Sequence, residues 1–302
     1  MTIYDEIAYR TQLAAVNKGS NIRLYVVDVD GGIREIVYDG KWSGGTSSNV
    51  ITRGKVDTPL AATSLDLDHI RLFYVGADNK GKEYGLDKWG KWHQGGFSNS
   101  GFKLASFSGG IAAICLGGNR YKLRVFAQLE DESIQEFSCK STRSLRSWQR
   151  GVNLGHAIQG TAIAATTWGT SPTHMRVYFQ DQDSHIVEKA WDGSWSTGGL
   201  RIVDQPPRAS LAVTSWIEGD NPSIRLLYSS SITTIKEKAF GENGWYDGGF
   251  EQDGVPGSNV AVLPMPTMRV YLQSGAFGTG VTEYALEDKW NASQEALPPS
   301  RD

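Results

Sequence analysis

Six arginines in this chain are each followed by a glutamate at a nearly fixed distance: Arg23 and Glu35, Arg71 and Glu83, Arg124 and Glu136, Arg176 and Glu188, Arg225 and Glu237, Arg269 and Glu283. Five pairs are twelve residues apart and the sixth fourteen. Seven to twelve residues after each glutamate comes a tryptophan: Trp42, Trp92, Trp148, Trp195, Trp245 and Trp290. Three residues after the glutamate lies a large side chain in three copies, Tyr38, Trp191 and Phe240, and Leu86, Cys139 or Leu286 in the others. These are the parts of a carbohydrate site. A guanidinium fork donates to two vicinal hydroxyls, and a carboxylate accepts from one. An aromatic face covers the apolar C–H side of a pyranose.

The same pairs have a second reading. Burying a guanidinium costs several kcal/mol unless it is paired, so each glutamate could simply neutralise its arginine as glue inside the fold. The tryptophans, six at one register, favour the binding reading. Catalysis is disfavoured. A typical glycosidase needs two carboxylates flanking one bond, whereas each copy repeats a single glutamate. The neighbouring arginine should lower that glutamate's pKa and keep it an ionised acceptor. Neither a nucleophile elbow, a Gly-rich phosphate loop nor a zinc signature is present.

Composition narrows the classes further. The formal net charge is -3, which gives no basic footprint for nucleic acid. No apolar run approaches the roughly 20 residues that span a membrane. The two cysteines, Cys115 and Cys139, read as free buried thiols, and the five histidines have no metal-ligand spacing. Neither a metal nor another cofactor is expected. The lone sequon Asn291-Ala-Ser293 carries little weight beside an acidic, polar N-terminus, MTIYDEIAYR, that does not read as a secretory leader.

The elements that must position these residues are strands. Each arginine sits in an apolar run (IRLYV, IRLFY, LRVFA, MRVYF, IRLLY, MRVYL), and each run follows another that starts near 13, 60, 111, 163, 211 or 260. The starts are 47, 51, 52, 48 and 49 residues apart, a period that marks a repeat architecture. The runs are short, rich in Val, Ile, Tyr and Phe, alternate with period two, and are bounded by turn residues. About four short antiparallel strands per copy and six copies predict an all-β fold, a six-bladed β-propeller, with residues 1–302 forming one domain. The midpoint of Arg23 and Glu35 falls at Val29, and that of Arg176 and Glu188 at Gln182, both in turns. Each pair should therefore face across a hairpin on one side of the blade, from an inner strand. The two extra residues of copy six, in SGAFGTG, keep the period-two parity. The segment TIYDEIAYR is expected to close the ring by pairing with the last blade, and KSTRSLRSW before Trp148 reads as a long loop.

The pattern IAA, then (I/M)R(V/L)Y, then IxE, then W and GG resembles the fungal fucose-specific lectins typified by the Aleuria aurantia lectin, over residues 10 to 297. The resemblance implies a six-bladed propeller that binds L-fucose between adjacent blades, with Arg and Glu from one blade and aromatics from the next. Carried over, the clefts would use Arg23, Glu35, Leu86 and Trp92; Arg71, Glu83, Cys139 and Trp148; Arg124, Glu136, Trp191 and Trp195; Arg176, Glu188, Phe240 and Trp245; Arg225, Glu237, Leu286 and Trp290; and, closing the ring, Arg269, Glu283, Tyr38 and Trp42. The expectation is a calcium-independent, multivalent, non-catalytic lectin whose partners are L-fucose and fucosylated glycans, with homodimerisation left open. Its location stays open between the cytoplasm and a spore or cell surface reached by unconventional export. The alternatives are a protein-interaction propeller with structural Arg–Glu pairs and, further off, a propeller glycosidase or sialidase.

Overall fold

The computed structural model describes residues 6–107, 109–116, 122–142, 145–264 and 266–299. Six antiparallel sheets stand around one axis as a six-bladed β-propeller, and within each the strands neighbour one another in chain order, except that blade one adds a fifth strand, Val50–Arg53, beside its third. Blade four shows the plan: Ile163–Trp168, His174–Gln180, Ile186–Trp191 and Trp195–Ile202. The six first strands surround a central void of about 110 Å³, lined by Leu13, Ala14 and Ala15 and their counterparts. Small residues are needed there because six strands converge on the axis. The arginines therefore lie on the strand second from the axis, not on the innermost one.

Period-two alternation makes each strand serve two neighbours. In blade three, Leu123, Val125 and Ala127 pack back onto Phe73 of blade two. Phe126, one position out of phase, packs forward onto Met175, Val177 and Phe179 of blade four. The core is thus a series of inter-blade layers. It closes where Leu13, Ile22 and Leu24 meet Ala261, Leu263 and Tyr271 of blade six.

The hairpin register differs from the sequence expectation by one step. Arg23 stands opposite Val37, and Glu35 opposite Tyr25. Arg176 stands opposite Ala190, and Glu188 opposite Tyr178. Each turn centre lies one residue beyond the Arg–Glu midpoint, so the two side chains share a face as diagonal neighbours rather than direct partners. In blade six Arg269 pairs with Ala285 and Tyr271 with Glu283, so the two extra residues stay in the turn and the parity holds.

Ring closure also differs. Blade six supplies its own fourth strand, Trp290–Leu297. The N-terminal segment bridges at Ile7 to Asp28 of blade one instead. It reaches blade six through side chains: Gln273 accepts from Thr11 N at 3.1 Å and donates to Ala8 O at 3.1 Å. Gln128 and Gln180 staple the next blades in the same way, through Gly160 N and Ala209 N. The described residues before Trp148 are strand rather than loop, and Arg143 and Ser144 lie outside them. The strands run through Thr142 and from Leu145, with Lys140 opposite Ser147. The fourth strands of blades one and two are cut short at Trp42–Gly44 and Trp92–Gln94, the latter followed by a four-residue helical turn, Gly96–Asn99.

Candidate functional site

The cleft between blades four and five is built around Glu188. That residue occupies the bulge between Val187 and Lys189, where the third strand slips against the fourth. Gly199 N and Leu200 N donate to its Oε2 at 2.7 and 3.2 Å. Tyr178, directly opposite, donates its hydroxyl to Oε1 at 2.8 Å. Arg176 Nε lies 3.5 Å from Oε1. The first glycine of the pair after Trp195 has a reason, because a Cβ on Gly198 would stand 2.2 Å from Glu188 Oε2. A Cβ on Gly95, Gly151 or Gly248 would stand 2.1, 2.6 or 2.3 Å from Glu83, Glu136 or Glu237. Gly198→Ala is therefore expected to push Glu188 out of its bulge, costing about 1–3 kcal/mol and the binding capacity of that cleft. Thermal unfolding and a ligand titration of the variant check both effects.

The other clefts repeat this with variations. Nε to carboxylate distances are 2.8 Å for Arg124 and Glu136 and 3.1 Å for Arg225 and Glu237. Arg269 Nη1 donates to Glu283 Oε1, while Tyr271 donates to Oε2 at 2.7 Å. Val152 N and Phe250 N hold Glu136 and Glu237 at 3.2 and 3.0 Å. Burial first, and then the facing carboxylate, pushes the hydroxyls of Tyr25, Tyr178 and Tyr271 well above the usual phenol range. They remain donors at any working pH.

In blade one the pairing departs from expectation. Arg23 forks onto Asp39 at 2.9 and 3.0 Å. Glu35 is held by Tyr25 at 2.9 Å. Burial raises the Glu35 pKa in spite of Arg23, so here the arginine does not win as the sequence suggested. A raised folded-state pKa means that ionising Glu35 costs stability. The cost is absent below the unfolded value of about 4.3 and complete above the folded one. Glu35→Gln is therefore expected to raise the melting temperature at pH 7, an advantage that vanishes below about pH 4. Melting curves across that range check it, and a lower melting temperature at pH 7 would refute it.

The aromatics come from the following blade, as the parity of the third strand requires. A glutamate and the residue three further on point to opposite faces. Tyr38, Leu86, Cys139, Trp191, Phe240 and Leu286 each stand directly opposite the tryptophan of their own blade. Those tryptophans meet the preceding blade edge-on: Trp92 on Tyr25 at 6.4 Å, Trp195 on Phe126 at 5.9 Å, Trp245 on Tyr178 at 6.1 Å, Trp42 on Tyr271 at 6.4 Å. Trp195 Nε1 donates to Glu136 Oε2 at 3.3 Å. Trp290 packs in one layer with Leu227 of blade five. Arg269 lies 5.9 Å from the Tyr38 ring across the ring closure.

One cleft differs in kind. The side chains of Arg23, Arg124, Arg176, Arg225 and Arg269 are 17 to 26% exposed, but Arg71 is 5% and Glu83 fully buried. Arg71 Nη1 donates to Ile70 O and Leu86 O at 2.9 and 2.8 Å. Trp148 is packed against Phe97 and Phe73 at 4.9 and 5.7 Å. Beside Arg71, His69 and Cys115 remains a void of about 10 Å³, room for about one water. Burial pushes the Cys115 thiol up to about 11.

Three features escaped the sequence reading. The residue two after each arginine is aromatic in five of six runs, and its position opposite the glutamate makes Tyr25, Tyr178 and Tyr271 carboxylate donors. Trp168 and Trp216, each five residues into its copy, lie 4.9 Å from the guanidinium carbons of Arg176 and Arg225. Asp39 and Asp192, each four after a glutamate, take the arginine forks, Asp192 at 3.0 Å through both nitrogens. A repeat at fixed offset was the available signal for all three.

Comparison with known proteins agrees with this geometry. A family model described as fungal fucose-specific lectin matches residues 7–300. A fucose-specific lectin of Arthroderma benhamiae is 35% identical, covering 96% of this chain and 90% of the relative. The solved SapL1 lectin in complex with α-methyl fucoside is 46% identical, with a TM-score of 0.94 over 99% of this chain and 100% of that one. The Aleuria aurantia lectin in complex with Fucα1-6GlcNAc is 27% identical, with a TM-score of 0.83 over 97% and 99% of the two chains.

Proposed function

The chain belongs to the fungal fucose-specific lectin family, and we propose that it binds L-fucose of fucosylated glycans in the clefts between adjacent blades. The observation that carries the reading is the Arg–Glu couple of one blade meeting the tryptophan of the next, repeated in the clefts of Arg124, Arg176, Arg225 and Arg269. In each cleft the guanidinium and carboxylate address hydroxyls, and the indole covers the apolar sugar face. Arg23, Arg124, Arg176, Arg225 and Arg269 anchor five working clefts. The cleft of Arg71, Glu83, Cys139 and Trp148 is closed, because its arginine is buried and its void holds no pyranose. Binding without catalysis is the reading, since the relatives are lectins and each glutamate already accepts from backbone amides, a tyrosine or a serine. Bound one at a time such sites are weak, and several engaged on one glycan surface gain about 10² or more in avidity.

Calorimetric titration with L-fucose, and with galactose and mannose as controls, tests this. Saturable, fucose-selective heat with a stoichiometry of five is expected, six clefts less the closed one. Absence of heat with any sugar would leave the Arg–Glu pairs as glue and move the search to protein partners.

A further inference from the structure

A second kind of site lies on the propeller axis, away from the clefts. One end of the axis opens into a cavity of about 600 Å³, within the ordinary range for small-ligand pockets. Arg10, Lys55 and Arg208 line it, and Asp57 is the one carboxylate among the lining residues. The three cations are spread around the mouth. Lys55 Nζ donates to Ser106 O at 2.7 Å, joining the loops into blades two and three. Arg208 Nε donates to Gln159 O at 3.1 Å, joining those into blades four and five. Arg10 Nε donates to Pro256 O at 2.7 Å, joining those into blades six and one. The cations thus sit at every second blade junction. Both arginines bond through Nε to an uncharged carbonyl, and among the described residues neither has a carboxylate partner.

The backbone supplies an independent observation. Arg10 and Arg208 stand three residues before the first strands of their blades, with φ of +61° and +62°. Gly160 and Gly257 hold the same place in blades four and six, with φ of +78° and +74°, and Asp57 holds it in blade two at +55°. A left-handed backbone costs a non-glycine residue of order 1 kcal/mol or more. Glycine meets the turn's need at two equivalent positions, so the arginine side chains are held at the mouth against backbone preference. Each lies over the neighbouring loop's glycine, Arg10 Nε 3.0 Å from where a Gly257 Cβ would be and Arg208 Nε 3.0 Å from that of Gly160. Among the described residues their terminal nitrogens make no hydrogen bond, which leaves them for a ligand. Three separated cations, two with bidentate forks, fit a compact polyanion whose several oxyanion groups reach different blade junctions.

We propose that this axial mouth binds a small multiply charged oxyanion, a polyphosphate or polycarboxylate, through Arg10, Lys55 and Arg208. Tripolyphosphate, inositol hexakisphosphate and citrate are the probes, titrated calorimetrically into the full chain at physiological salt, with fucose titrated in parallel. Saturable binding of one polyanion per chain is expected. Arg208→Gly should weaken it about tenfold or more with little change in thermal stability, since glycine suits the turn while one exposed bond to Gln159 O is lost, and should leave the fucose titration unchanged. Arg10→Gly and Lys55→Gln should do the same. Which probe binds tightest separates phosphate from carboxylate ligands. No saturable binding of any probe, or binding unaffected by Arg208→Gly and Lys55→Gln, overturns the proposal.

Discussion

Replacing Arg23, Arg176 and Arg269 together by alanine should leave a folded protein that titrates with two fucose equivalents rather than five and is no longer held on a fucosylated surface. These three arginines are chosen because their glutamates keep other donors. Tyr25, Tyr178 and Tyr271 each hold the facing carboxylate at 2.7 to 2.9 Å. The arginines themselves are 17 to 21% exposed, so their loss opens no sealed cavity. A hydrogen bond from a charged group contributes about 1.5–3 kcal/mol, so each altered cleft should lose on the order of 10- to 100-fold in affinity. The clefts of Arg124 and Arg225 remain. The larger effect is on avidity, because gains of about 10²–10⁴ require several clefts in reach of one surface. Retention on an immobilised fucosylated glycoprotein, beside circular dichroism, reads the outcome. Undiminished retention would sink the cleft assignment, and a globally unfolded variant would make these arginines structural.

Arg71→Ala should behave in the opposite way, losing stability and no sugar. Glu83 is fully buried, with Phe97 N donating to its Oε2 at 2.8 Å and Arg71 Nε 3.4 Å away. Taking the cation away leaves a buried carboxylate uncompensated, which costs about 3–5 kcal/mol. The fucose stoichiometry should stay at five, because that cleft takes no ligand. Pairing the change with Glu83→Leu should restore much of the stability, since removing both charges removes the penalty. Chemical denaturation of the single and double variants decides it. A stable Arg71→Ala protein that binds one fucose fewer would show the cleft to be open in solution.

The contrast between Arg71 and Arg176 shows how far the sequence could be read. Both occupy the same place in the repeat, twelve residues before a glutamate, and the sequence sets their clefts apart only by Cys139 and the stretch before Trp148 in one where the other has Phe240. Packing decides the rest: Phe97 donates its N–H to Glu83 and packs on Trp148 in one, while Trp168 lies over the other arginine and Asp192 takes its fork. The diagonal register was similarly out of reach, because it depends on how many residues the turn absorbs, and parity survives either way.

By itself the sequence determined the strand pattern, the six copies and the face that each Arg, Glu and Trp occupies. Those follow from period-two alternation and from a repeat that no single copy can bury alone. The tertiary structure decided what lies between copies: which carboxylate a tyrosine holds, which arginine an aspartate takes, which cleft is shut, and where Arg10 and Arg208 meet the axis. Such contacts join residues far apart in the chain, and their distances are set by how six blades close into a ring.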